Sequence, residues 1–156
     1  MFWLILSLSF PSYFTAEQTE IAKVILEQAK PVGEDAHLLV SIAWVETRLN
    51  PKSISKTNDY GLFQINWTFW GRRWGYKDRK TFYRDMSNPY HATVAAMIVL
   101  KEMRKYKSCQ GLNLPACYNG GPGWLRSKNK AKILAYANKV NRLRIYYKKR
   151  FPNWGK

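Results

Sequence analysis

Between Leu38 and Leu49, the residues Leu38, Leu39, Ile42, Val45 and Leu49 recur at three- and four-residue spacing, and Asn50-Pro51 stops the run. A helix with so continuous an apolar side must be buried against other elements, which commits the chain to a packed, largely helical core. Glu46 interrupts that pattern. It follows Ala43 by three, Ile42 by four and Leu39 by seven, so it lies on the apolar face. A carboxyl in that position faces the core or a cleft. Desolvation disfavours its charged form and raises its pKa. A carboxylic acid still protonated near neutral pH is what general acid catalysis needs. The competing account is a glutamate at the helix boundary, paired with Arg48 or with water.

The rest of the chain also reads as mostly α. Thr15-Ala16-Glu17-Gln18 fits a capping box, followed by Ile21, Val24, Ile25 and Ala29 at helical spacing. Lys-Pro-Val-Gly-Glu-Asp at 30–35 breaks that helix. Ser87-Asn88-Pro89 opens a long helix through about Tyr106, and a last helix carries Ile133, Tyr136, Val140, Leu143 and Tyr147. The other side and end of this last helix are basic. Residues 52–60 read as loop, and 60–66 as either a short strand or a helical turn. The stretch 110–124 is rich in turn formers, Gly120-Gly121-Pro122-Gly123 above all. No repeat or linker divides the chain. The expectation is a single domain over 17–147, preceded by a hydrophobic segment at 1–16 and followed by a basic tail at 148–156.

Charge narrows the partners. Twenty-six Lys and Arg against ten acids leave a net charge of +16, a surface that attracts polyanions. Nucleic acid, anionic lipid, lipopolysaccharide and wall polymers all qualify, but no RNA- or DNA-binding motif is present. A basic binder of nucleic acid or membrane is the rival from outside enzymology. Residues 1–10 are apolar and uncharged, too short to span a bilayer as a helix. They read either as the apolar part of an export signal, with a cleavage point at Thr15-Ala16, or as a segment packed on the core. Cys109 and Cys117 would close a short loop in an oxidising compartment and be free thiols in a reducing one. His37 and His91 stand alone, each beside a helix start. No metal-ligand pattern is present, and no cofactor is expected.

Three pieces in order carry a family resemblance. Glu46-Thr47-Arg48-Leu49-Asn50-Pro51, then Ser53 and Ser55, then Tyr60-Gly61-Leu62-Phe63-Gln64 resemble the glutamate, Asn-Pro and Gly-Leu-Met-Gln elements of the soluble-lytic type of lytic transglycosylase. Thr47 stands where that family usually has Ser, and Phe63 where it has Met. Cys117-Tyr118-Asn119-Gly120-Gly121 resembles its Ala-Tyr-Asn-x-Gly segment, and Ala135-Tyr136-Ala137-Asn138-Lys139-Val140 its Tyr-Val-x-x-Val segment. The resemblance covers about residues 30–147. It implies a lysozyme-like, α+β but mostly helical fold with an active-site cleft. The implied reaction is cleavage of the β-1,4 bond between N-acetylmuramic acid and N-acetylglucosamine in peptidoglycan. By the same resemblance Glu46 would serve as acid and then base, and Tyr136 would hydrogen-bond or orient it. Ser55, Gln64, Asn66, Trp70, Tyr118 and Asn119 would serve the sugar site. No water and no second carboxylate are needed if the C6 hydroxyl of the muramic sugar attacks C1 and leaves a 1,6-anhydro product.

Asp59 supports a different product. Asp59-Tyr60-Gly61-Leu62-Phe63-Gln64-Ile65-Asn66 also resembles the second-carboxylate stretch of c-type lysozymes. Retaining hydrolysis uses two carboxyls about 5–5.5 Å apart. A hydrolytic muramidase using Glu46 and Asp59 is therefore the nearest rival, and a loop aspartate in an Asx-type turn is the plainer account. The aromatic run Trp67 to Tyr76 offers flat faces for sugar rings or filling for the core. Arg72 and Arg73 could meet substrate carboxylates. A wall-lytic role implies a monomer exported to the periplasm or cell envelope, or one encoded by a phage. Peptidoglycan strands and anionic envelope polymers would be its partners, with wall turnover or a secretion, conjugation or phage machine as its setting.

Overall fold

The computed structural model describes residues 8–156. Most of the expected export signal, residues 1–7, lies outside the described residues. Among the described residues six α-helices surround one core: α1 Ala16–Ala29, α2 Ala36–Thr47, α3 Arg79–Met86, α4 Pro89–Met103, α5 Leu114–Gly120 and α6 Lys130–Arg150. A two-stranded hairpin, β1 Asp59–Tyr60 and β2 Ile65–Asn66, sits between α2 and α3. The mostly helical single domain matches the sequence reading.

The capping box forms as expected. Gln18 N donates to Thr15 Oγ1 at 3.1 Å, and Thr15 N donates to Gln18 Oε1 at 2.8 Å. Asp35 caps α2 by accepting from Leu38 N at 3.0 Å. Every residue of α2 from Ala36 to Ala43 is buried. The helix is enclosed on all sides by α1, α6 and the loops, and does not present a single apolar stripe. It ends earlier than the proline signal suggests. Arg48 (φ 55°) and Leu49 (φ 62°) both turn left-handed, and Leu49 folds back into the core. Two successive non-glycine residues in that region are uncommon and persist only where surrounding contacts enforce them. Here Thr47 Oγ1 donates to Leu62 O at 2.9 Å and ties the helix end to the hairpin loop.

Several sequence boundaries move. The long helix expected to reach Tyr106 ends at Met103. The segment Arg79–Met86 is a helix that the apolar pattern did not mark, with only Phe82 and Met86 buried along it. The ambiguous 60–66 segment is a hairpin, with Asp59 opposite Asn66 and Tyr60 opposite Ile65. Within the turn-rich stretch, 114–120 forms α5. Pro115 suits a first helical turn, and Leu114, Ala116 and Cys117 are buried. A disulfide joins Cys117 to Cys109.

The domain ends also differ from expectation. Residues 148–156 are not a tail: Lys148–Arg150 form the last turn of α6, and Phe151 and Trp154 are buried. Trp154 packs on Phe151 (4.9 Å), Tyr147 (5.2 Å) and His37 (5.6 Å) between ring centres. His37 Nε2 lies 2.8 Å from Phe151 O, which makes it a structural histidine. The N-terminal side locks onto the same cluster. Trp154 Nε1 donates to Ser9 O at 2.8 Å, and the Tyr13 and Tyr147 hydroxyls are 2.8 Å apart. Phe14 stacks on Trp44 at 5.0 Å. The fold therefore reaches from about Ser9 to Trp154, beyond 17–147 at both ends. A cut at Thr15-Ala16 would remove the buried Phe14 and the cap of α1.

Candidate active site

Glu46 stands in the last turn of α2, where the helix emerges from the core into a cleft of about 480 Å³. Opposite it run the hairpin and the start of α6. Gln64, Asn66, Trp70, Tyr118, Asn119 and Asp59 share the cleft wall with Glu46. The left-handed pair after Thr47 turns the chain away immediately, so the glutamate is left at the opening. Arg48 does not pair with Glu46; its guanidinium lies over the Trp44 ring at 4.9 Å.

Two groups define the chemistry of Glu46. Burial pushes its carboxyl up from 4.5 to about 7; the hydrogen bond from Tyr136 pulls it partly back, and the charge of Asp59 adds to the rise. Tyr136, on α6, donates its hydroxyl to Glu46 Oε1 at 2.7 Å. The Tyr136 phenol is itself held well above its usual range by burial and by Glu46, so it remains a donor. With Oε1 occupied by Tyr136, the acid proton belongs on Oε2. Tyr118 is held in its protonated form in the same way and donates to Phe63 O at 2.8 Å. That bond braces the hairpin loop from α5.

Asp59 is held by the loop that precedes it. Its Oδ2 accepts from Ser55 Oγ at 2.6 Å and from Thr57 Oγ1, and its Oδ1 accepts from Asn66 Nδ2 at 2.8 Å. Ser55, expected at the sugar, is instead turned onto Asp59 and is not part of the cleft wall. Asn66 does line the cleft, yet both ends of its amide are engaged, with Oδ1 accepting from Phe69 N at 2.9 Å. Asp59 is thus a well-anchored carboxylate in the cleft and not an Asx-turn residue.

Gln64 has φ 51° and donates Nε2 to Gly61 O at 3.1 Å. Gly61 itself has φ 75°, and a Cβ there would meet Met86 O at 1.9 Å, so only glycine fits the approach of the hairpin to α3.

The aromatic run divides between the two roles foreseen for it. Trp67 is core, packed on Phe82 at 5.4 Å. Trp70 lines the cleft, backed by Trp74 at 5.2 Å. Arg73 lies over Phe69 and Trp70 at about 6 Å, so its charge sits beside the aromatic wall. The segment Trp67–Gly71 winds as a π-helix capped by Asn66, a rare form frequent at functional sites. Trp124 is buried and donates Nε1 to Ser108 O at 3.2 Å.

Sequence reasoning missed Thr57, Ile65, Val99 and Asn129, which complete the cleft wall. Thr57 carried a usable signal, since it stands two residues before an aspartate in a polar loop. Asn129 carried none: only the docking of α6 brings the residue before its first turn to the cleft.

No curated protein matches the chain. A family model does, described as the transglycosylase SLT domain, and it covers residues 23–140. The matched span contains Glu46, the hairpin, α5 and Tyr136, the elements that build the cleft, and the chain belongs to the transglycosylase SLT domain family, whose substrate is peptidoglycan.

Proposed function

We propose that the chain cleaves the β-1,4 bond between N-acetylmuramic acid and N-acetylglucosamine, with Glu46 moving both protons, and that the product ends in 1,6-anhydro-muramic acid. One observation carries the reading: Tyr136 donates to a single carboxyl oxygen of Glu46 in the cleft, where burial pushes that carboxyl up to about 7. An acid poised near the working pH can give its proton and recover one in the same cycle. Glu46 protonates the leaving glycosidic oxygen from Oε2 as the C1–O bond breaks. The resulting carboxylate accepts the proton of the muramic C6 hydroxyl, and that oxygen bonds to C1. The glutamic acid is restored and no water is consumed. Gln64 and Asn119 supply amides for sugar N-acetyl groups, and Trp70 a flat face for a ring.

Hydrolysis is the second reading, because Asp59 is anchored in the same cleft. Mass spectrometry of the first soluble fragments from purified peptidoglycan separates the two. Anhydro ends are lighter by one water than reducing ends and resist borohydride. Reducing ends as the main early product would make the enzyme a muramidase.

On this reading the enzyme works outside the cytoplasmic membrane, in the periplasm or cell envelope, or is a phage-encoded wall enzyme. The disulfide favours an oxidising compartment. Peptidoglycan strands are its substrate, and the +16 charge suits it to anionic envelope polymers. Its setting on this reading is wall turnover or a secretion, conjugation or phage machine. A binder without catalysis has no use for a glutamic acid held at about 7.

A further inference from the structure

The 21-residue helix α6 contains eight Lys and Arg and no acid. Its inner side is committed: Ile133, Ala137, Val140 and Tyr147 are buried, and Tyr136 reaches Glu46. Arg144 and Lys148 are also committed, since both pair with Asp35, at 2.5 and 3.0 Å. The other six cations have no acidic partner among the described residues. On the outer side Lys139, Arg142 and Lys149 are exposed, and so are Leu134 (42%), Ile145 (51%) and Tyr146 (47%). Arg142, Ile145, Tyr146 and Lys149 are three or four residues apart and form one patch. The helix is about 31 Å long.

A soluble helix normally opposes its buried stripe with polar residues of both signs. Here the outer side combines cations of one sign with large apolar side chains. We infer that this face of α6 docks on an anionic lipid surface, with Ile145 and Tyr146 entering the headgroup layer and Lys139, Arg142 and Lys149 pairing with lipid phosphates. The two halves of the argument are independent. Cations near a negatively charged bilayer bind it electrostatically, and apolar side chains on the same face enter the interface. A purely anionic polymer would need the cations and leave the apolar residues without a role. A second copy of this chain would bring like charges together. Because the buried side of α6 carries Tyr136 towards Glu46, docking the opposite side leaves the cleft turned away from the lipid. This surface does not depend on the glycosidase reading.

Sedimentation of the full chain with vesicles tests it, and no glycan is involved. Vesicles of phosphatidylglycerol mixed with phosphatidylcholine are compared with phosphatidylcholine alone. The wild type is expected to bind only the anionic vesicles. Replacing Lys139, Arg142 and Lys149 by Gln should weaken binding roughly a hundredfold at low salt, given about 1 kcal/mol per cation at the surface. The same charge loss placed elsewhere, with Lys52, Lys77 and Lys80 changed to Gln, should weaken it only severalfold. Replacing Ile145 and Tyr146 by Ser should weaken vesicle binding on the order of tenfold and leave binding to polyphosphate unchanged. Circular dichroism melts check that each variant folds. The apolar N-terminal segment is common to all variants and contributes a constant. Three results would overturn the inference. One is a wild type that ignores anionic vesicles, another equal losses from the two charge variants. The third is vesicle binding by the Ile145→Ser/Tyr146→Ser variant equal to wild type, which would assign the face to a polymer.

Discussion

Tyr136 and Glu46, ninety residues apart in sequence, meet at 2.7 Å where α6 crosses the end of α2. The tyrosine donates and the carboxyl oxygen accepts, so the pair survives in both protonation states of the glutamate. It orients the acid without neutralising it. Burial then outweighs that hydrogen bond and keeps a large share of the carboxyl protonated at near-neutral pH.

Glu46→Gln is expected to abolish peptidoglycan cleavage while leaving wall binding intact, a loss of at least 10²–10⁴-fold from the general acid alone. A turbidity assay with a cosedimentation control measures both. Clearing at near wild-type rate would remove Glu46 from the mechanism.

The same substitution should stabilise the fold in a pH-dependent way. The folded-state value of Glu46 is raised, from 4.5 to about 7. Its neutral form is therefore the one the fold accommodates, and stability from this group is full below 4.5 and lost as pH rises through about 7. The Gln variant has no such loss. Its advantage over wild type should be near zero at pH 4 and reach about 2 kcal/mol at pH 8, after allowing for partial solvent access. Denaturant melts across that range measure it, and an advantage independent of pH would contradict the assigned shift.

Tyr136→Phe should reduce turnover by one to two orders of magnitude at a stability cost of about 1 kcal/mol. It should also move the alkaline limb of the pH–rate profile, where Glu46 loses its acid proton, to higher pH, because the bond it removes lowers the carboxyl's pKa. A profile unmoved from wild type would make Tyr136 a packing residue only.

Asp59→Asn discriminates between products. In the anhydro reaction much of the activity should remain, since the C6 hydroxyl attacks and Glu46 handles both protons. In hydrolysis the loss should approach that of a main electrostatic stabiliser, about 3–4 kcal/mol of barrier. Initial rates combined with end-group analysis decide. A dead variant of an enzyme that makes reducing ends would establish the hydrolase.

Gly61→Ala should cost more than about 2 kcal/mol and most of the activity. A Cβ there collides with the Met86 carbonyl, and the backbone is left-handed. A thermal melt and a cleavage assay on the same preparation test this. A variant as stable as wild type would show that the hairpin can lift from α3.

The chain alone determined its helical class, the cap of α1 and the position of Glu46, because local spacing and capping chemistry carry those directly. It also marked Gln64, Tyr118, Asn119 and Tyr136 as members of one site through the family resemblance. Spacing could not show that Ser55 and Asn66 serve Asp59, because a hydroxyl or amide in a loop offers the same atoms to a sugar or to a neighbour. The buried ends were hidden for a related reason. Lys148 to Arg150 read as a charged tail, yet Phe151 and Trp154 find Tyr147, His37 and Phe10 only once both chain ends are folded together. The left-handed turn at Arg48–Leu49 is likewise imposed from outside, since neither residue prefers it. Above all, the pKa of Glu46 is a property of the assembled cleft. Burial by the surrounding elements, the hydroxyl of Tyr136 and the charge of Asp59 set it; Tyr136 lies ninety residues away on α6, and even Asp59, thirteen residues on, is brought to the cleft only by the hairpin.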